Sequence, residues 1–117
     1  MTCKPYDVLA PFTLRAIDRV DPSAAGVYGF WYRRECIYIG LAVNLRGRLR
    51  QHWAGSHNEG LKDWMKAKKS DLTFNYKIAR PEDDIKLMER FFIRRFSPKT
   101  NVIVYSAHQQ PIWLCDS

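Results

Sequence analysis

Residues 26–33, Gly-Val-Tyr-Gly-Phe-Trp-Tyr-Arg, and residues 36–41, Cys-Ile-Tyr-Ile-Gly-Leu, are short runs rich in Val, Ile and aromatic side chains, separated by a brief charged turn. This pattern predicts an antiparallel hairpin. Residues 71–79 alternate instead, with Leu72, Phe74, Tyr76 and Ile78 on one face and Thr73, Asn75 and Lys77 on the other, which predicts a half-buried strand. Three segments carry helical spacing. Asn44 is placed to cap a helix in which Leu45 and Leu49 lie one turn apart on the packed side, although Gly47 weakens it by about 1 kcal/mol relative to Ala. After a Gly-Ser-His-Asn-Glu-Gly break at 55–60, Leu61, Trp64, Met65 and Lys68 mark a second amphipathic helix. Pro81 fits the first position of a third, with Glu82, Asp83 and Asp84 in its opening turn; it runs to about Phe96 and stops before Pro98. A weak helix over Thr13–Arg19 precedes these, ended by Asp21-Pro22-Ser23. The order is helix, strand, strand, helix, helix, strand, helix, tail. It predicts an α/β (α+β) fold: a small sandwich with a central three-stranded antiparallel sheet flanked by helices.

Composition narrows this picture. The 117 residues include 16 aromatics and are 46% hydrophobic, enough for one core and too few residues for two. No apolar run approaches the roughly 20 residues that cross a bilayer, and the first residues lack an apolar signal core, so a cytoplasmic protein with no membrane partner is expected. Cys3, Cys36 and Cys115 are odd in number and in no CxxC pair, which points to reduced thiols and to neither a disulfide framework nor a zinc site. Nineteen Lys and Arg against twelve Asp and Glu leave a net charge of +7. The first 21 residues are balanced. Between Arg33 and Lys69 nine basic residues face only Glu35, Glu59 and Asp63, a surplus that favours a polyanionic partner.

Two helices carry candidate chemistry. At about 100° per residue, Ile85, Met88, Phe92 and Phe96 form an apolar stripe, and Glu89 falls inside it, between Phe96 and Ile93. A carboxylate there needs an ion pair, hydrogen bonds or a metal. On the first long helix Asn44, Arg48 and His52 recur every four residues and share one polar face, where a cation beside an imidazole suits phosphate charge and proton transfer. Tyr28 and Tyr38 sit in the predicted hairpin, where aromatic residues usually pack.

Gly26-Val27-Tyr28, then Tyr38-Ile39-Gly40 after nine residues, then Asn-Leu-Arg-Gly-Arg-Leu-Arg-Gln-His over 44–52, together resemble the GIY-YIG nuclease family. The segment Leu-Met-Glu-Arg-Phe-Phe-Ile-Arg-Arg-Phe-Ser-Pro-Lys-Thr-Asn, 87–101, is similar to that family's closing motif of a helical glutamate followed by a proline and an asparagine. The resemblance implies one nuclease domain over 1–117, with an N-terminal extension (1–24), a catalytic core (25–101) and a tail (102–117). It implies catalytic roles for Tyr28, Tyr38, Arg48, His52 and Glu89, with Glu89 holding one divalent metal ion, Mg2+ or Mn2+. Arg46, Arg50, Lys62 and Asn101 are expected to contact substrate. The implied reaction is hydrolysis of DNA phosphodiester bonds by water, with Tyr28 as base assisted by Tyr38 or His52. Val27 replaces the motif's isoleucine, and Leu41 stands where many members carry a polar residue.

The alternative is a noncatalytic nucleic-acid-binding module of the same fold. The short flanks leave little chain for sequence recognition, so the expectation is weak sequence specificity, or a preference for branched or single-stranded DNA, with a protein partner or dimer left open as the means of targeting. Trp53, Trp64 and Tyr105 are candidates for stacking on unpaired bases, core packing being the commoner role for the first two.

Overall fold

The computed structural model describes residues 9–33, 35–55 and 59–99. The elements in chain order are β1 (Ala10–Pro11), α1 (Leu14–Ile17), β2 (Gly26–Tyr32), β3 (Glu35–Ala42), α2 (Leu45–Ala54), α3 (Glu59–Lys68), a 3₁₀ turn, β4 (Leu72–Ile78) and α4 (Ile85–Phe96). The sheet has four strands where the sequence pattern predicts three, in the order β1-β4-β2-β3, all pairs antiparallel. The additional strand is only two residues long, too short to show a period. Its exposed Pro11 ends the ladder at that edge, which limits further pairing.

Both faces of the sheet are covered. Tyr28, Phe30, Leu72 and Phe74 pack with Phe12, Ile17, Leu45, Leu49, Leu61 and Met65 from α1, α2, α3 and the chain around them. Val27, Trp31 and Ile39 pack on the other face with Met88, Phe91, Phe92 and Ile93 of α4. The half-buried reading of β4 is corrected accordingly: the strand lies between β1 and β2, and Asn75, on its predicted polar face, is buried and accepts a 2.9 Å hydrogen bond from Trp31 Nε1. Ile78, on the predicted apolar face, is exposed at the strand's end.

Local chemistry sets the helix ends. Thr13 caps α1 by accepting from Ala16 N at 3.1 Å, and Asn44 caps α2 by accepting from Gly47 N at 3.0 Å, as its position predicts. Gly47 follows from that cap: a Cβ there would stand 3.2 Å from Asn44 Cγ. The third predicted helix starts later than Pro81. Asp83 closes a turn on Arg80 N at 2.9 Å, and Asp84 caps α4 through Lys86 N and Leu87 N, both at 3.1 Å. At its C-terminus Ser97 adopts φ 46° and donates its N–H to Ile93 O at 2.9 Å. Cys36 is a buried free thiol whose pKa burial pushes up to about 12; Cys3 and Cys115 lie outside the described residues. Among the described residues no helix is long and apolar enough to cross a membrane.

Candidate active site

Tyr28 on β2 and Tyr38 on β3 share the face covered by α2, and a β-bulge is responsible. Near the hairpin turn Trp31 pairs with Cys36, but the next pair is Phe30 with Tyr38, so Ile37 is an added residue on β3. Without it Tyr38 would oppose Gly29 and point toward α4, because side chains alternate along a strand. The bulge brings the two tyrosine rings to 6.0 Å between centroids. Gly40, directly opposite Tyr28, provides the space for them. A Cβ at Gly40 would stand 2.6 Å from Tyr28 Oη and 2.9 Å from Tyr38 Cε2. Gly26 serves the scaffold instead, since a Cβ there would fall 2.0 Å from the Lys77 carbonyl oxygen on β4.

The helix α2 presents a histidine and an arginine to this pair. The polar face read from Asn44, Arg48 and His52 is divided: Arg48 is exposed, while His52 is only 7% exposed against the sheet. The Tyr28 hydroxyl lies 2.7 Å from His52 Nε2. Phe30 holds that imidazole edge-on at 5.3 Å, and the Tyr38 ring lies 5.7 Å from it. The Tyr38 hydroxyl also acts on the Tyr28 phenol, raising its pKa. The result is a cluster of His52 and Tyr28, both buried and hydrogen bonded to each other, with the half-buried Tyr38 ring packed beside them.

Glu89 reaches the site from the opposite layer. It is half-buried on α4 beside the edge strand β3, and the Leu41 main-chain N–H favours its carboxylate form. The residue type at 41 is therefore secondary at this contact; the Leu41 side chain packs toward α4. Burial raises the Glu89 pKa, opposed by the Leu41 N–H and by Arg90. Burial likewise pushes the Tyr28 phenol far above its ordinary range, with Tyr38 adding to the effect; it also raises Tyr38. The charges of Arg48 and Glu89 act on both phenols in opposite directions, which places all four groups in one electrostatic unit.

The remaining predicted site residues are not part of this cluster. Arg46 donates to Val20 O at 2.9 Å and Asp18 O at 2.8 Å, and Arg50 pairs with the Asp18 carboxylate. Lys62 is exposed on α3, and Asn101 lies outside the described residues. Phe30 and the bulged Ile37 escape sequence reasoning. Phe30 reads as ordinary core, and no residue type marks a bulge.

Among the described residues no three His, Cys, Asp or Glu side chains converge as a metal cage. A half-buried carboxylate favoured by a main-chain N–H, with no ion pair among those residues, still fits a hard cation that keeps most of its ligands as water, as magnesium does.

Comparison with known proteins agrees with this geometry. A model of the UvrC-like GIY-YIG domain matches residues 24–102. UvrABC system protein C of Hydrogenobaculum sp. (strain Y04AAS1) is 35% identical over 89 residues, covering 71% of this chain and 14% of that relative. The same protein of Alkaliphilus oremlandii is 34% identical over 95 residues, 80% of this chain and 15% of that relative. The chain thus spans about one seventh of the curated relatives it matches. The GIY-YIG N-terminal endonuclease domain of UvrC from Thermotoga maritima, solved as a tyrosine-to-phenylalanine mutant bound to its catalytic divalent cation, superposes with a TM-score of 0.60 at 27% identity, over 77% of this chain and 96% of that one. The same domain with magnesium gives 0.59 at 27% identity, over 76% of this chain and 96% of that one. The chain belongs to the GIY-YIG nuclease family, with a domain of the UvrC type.

Proposed function

We propose that this domain is a metal-dependent endonuclease that hydrolyses DNA phosphodiester bonds with little sequence specificity of its own, or with a preference for DNA structure. The observation that carries the reading is the 2.7 Å Tyr28–His52 hydrogen bond with Tyr38 beside it and the charges of Arg48 and Glu89 acting on both phenols. A binding module has no need of a buried proton path or of a desolvated carboxylate beside phosphate. The similarity to the GIY-YIG N-terminal endonuclease domain of UvrC, bound to its catalytic divalent cation, supports it.

Glu89 would hold the divalent ion, Mg2+ or Mn2+, through its carboxylate. When bound, the ion supplies Lewis-acid polarisation of the scissile phosphate and charge for the departing 3′ oxygen. Arg48, exposed on the first turn of α2 after the cap, stabilises charge on the non-bridging oxygens. Water attacks phosphorus, the bond to the 3′ oxygen breaks, and the products are a 5′-phosphate and a 3′-hydroxyl. The attacking water must lose a proton. Burial keeps the phenols protonated, so a standing phenolate is not the base. Tyrosine instead takes the water's proton as Tyr28 passes its own to His52 Nε2, 2.7 Å away. His52 lies in the last turn of α2.

The test compares wild type with Glu89→Ala on single-stranded, duplex and branched DNA, with magnesium, manganese or a chelator. Cleavage that requires metal and is lost in Glu89→Ala supports the reading. Full-rate cleavage in chelator sinks the metal role, and DNA binding without cleavage by wild type establishes the binding module instead.

A further inference from the structure

Residues 9–23 precede the stretch that matches the family domain, yet they are tightly joined to the helix that carries Arg48 and His52. Arg46 reaches two main-chain carbonyls of that segment, Val20 at 2.9 Å and Asp18 at 2.8 Å. One turn further along α2, Arg50 donates through Nε to Asp18 Oδ1 at 3.1 Å and pairs with it again through Nη2. The helix start is fixed to the residue that follows this segment, with Leu45 N donating to Ala24 O at 2.9 Å. Underneath, Ile17 and Val20 are buried in the cluster that includes Leu45 and Leu49.

Helix geometry divides the arginines by task. Arg46 and Arg50 are four residues apart and share one face, while Arg48 projects about 160° away from them, and His52 lies within about 40° of Arg48. A phosphate seated at Arg48 is therefore on the opposite side of α2 from the Asp18 contacts.

We propose that Asp18, Arg46 and Arg50 are positioning residues that brace α2 against the N-terminal segment and so set where Arg48 and His52 stand relative to Tyr28 and Tyr38. This assigns to Arg46 and Arg50 a role other than phosphate binding, and its kinetic consequence rests on the nuclease reading above. The contact is distributed: Arg46 uses main-chain acceptors that no side-chain substitution in the partner removes, while Arg50 depends on the Asp18 carboxylate. Arg46 is therefore the stronger member. The Arg50–Asp18 pair is about half exposed on both sides and contributes less by itself.

The experiment uses the full chain with Asp18→Ala, Arg46→Ala, Arg50→Ala and the Asp18→Ala/Arg50→Ala double variant. Amide hydrogen exchange is read first because it does not require cleavage. In Arg46→Ala the amides of α2 exchange about tenfold faster while those of α4 keep wild-type rates. The double variant matches the worse of its two singles, since both remove the same contact. Steady-state cleavage is then measured at a temperature where circular dichroism shows every variant folded. Arg46→Ala lowers kcat about tenfold with KM within about twofold of wild type, the pattern of a misplaced catalytic group.

Three results overturn the brace: exchange rising equally in α2 and α4, single effects of Asp18 and Arg50 that add in full, or a raised KM with a flatter salt dependence in the arginine variants, which is the signature of phosphate ligands. An inactive wild type with the α2-specific exchange response intact would instead refute the nuclease reading and leave the brace standing.

Discussion

Gly40→Ala places a methyl carbon in the space that Tyr28 and Tyr38 share. The new atom would stand 2.7 Å from Tyr28 Cζ, where ordinary contact begins at 3.4 Å, so the ring must yield by 3.4 − 2.7 = 0.7 Å. Tyr28 is 1% exposed, with Phe30, Tyr38 and His52 all within 6.0 Å between ring centroids, so it has no open side to move into. Overpacking of this kind costs about 1–3 kcal/mol. For a domain of this size each kcal/mol lowers Tm by about 4–8 °C, a shift that a thermal melt reads directly. The hydrogen bond to His52 has less tolerance. Starting from 2.7 Å, a shift of 0.7 Å directed away from the imidazole takes Oη to 3.4 Å from Nε2, beyond the reach of an effective O–H···N bond. A displaced proton path costs about 10²-fold in kcat. The measurement is kcat on plasmid or oligonucleotide DNA at 20 °C beside a thermal melt of the same sample. Gly26→Ala is the control, because its Cβ meets the Lys77 carbonyl at 2.0 Å and must pry β2 from β4; its activity is expected to fall only as its folded fraction falls. Wild-type kcat in a folded Gly40→Ala, or a Gly26→Ala that melts like wild type, would refute the steric argument.

Arg48→Ala is expected to abolish detectable cleavage while shifting Tm by less than about 2 °C, because the side chain is exposed and makes no hydrogen bond or ion pair among the described residues; a larger loss of Tm measured by calorimetry would assign it a structural role. Glu89→Gln is expected to raise Tm at pH 7 in chelator. Burial holds the folded pKa of Glu89 above its unfolded value, so the stability tied to the neutral form is present below the ordinary carboxyl range and is lost as pH rises through the folded value. The variant's gain should accordingly vanish when melts are repeated near pH 3, and magnesium should stabilise wild type but not Glu89→Gln. Ser97→Gly is expected to stabilise by about 1 kcal/mol, since φ 46° places a non-glycine residue in the left-handed region; an unchanged or lower Tm would contradict that.

Much of the architecture is legible in the chain because its elements follow local rules. The hairpin, the Asn44 cap and the amphipathic spacing of α3 and α4 each lie within a few residues of their cause. What the chain conceals is set by contacts across the sheet. Asn75 reads as a solvent-facing position, yet it is buried, and its partner Trp31 is on the neighbouring strand. The two-residue β1 exists only through pairing with Thr73 and Phe74. The late start of α4 depends on which of three successive acidic residues caps, and Asp84 takes that place because Asp83 is engaged with Arg80. For the site, residue spacing suggests that Tyr28 and Tyr38 are near each other but cannot show that they share a face, since a one-residue bulge decides it. Likewise an arginine at 46 or 50 looks the same to sequence reasoning as one at 48. Only the 100° step of the helix together with the position of Asp18 separates them.

The electrostatics of the cluster set it apart from a well-satisfied core. Burial works against the charged forms of Glu89, Tyr28 and Tyr38 alike, and the Glu89 charge adds to the burden on both phenols. Arg48 opposes this, but it stands exposed to solvent, where its field is weakened. A scaffold selected for stability alone would replace Glu89 with an apolar residue, as its neighbours Met88 and Phe92 already suit that face. Positive charge arriving at Glu89 acts in the opposite sense: it favours the carboxylate, cancels that carboxylate's effect on the phenols and eases proton loss along the Tyr28–His52 path. The same cation would thus relieve the fold and prepare the base, so stabilisation by magnesium and activation by magnesium should share one dependence on concentration. Melting curves and initial rates titrated in parallel test this coupling, and midpoints differing by more than about tenfold would show that the stabilising ion is not the one that supports catalysis.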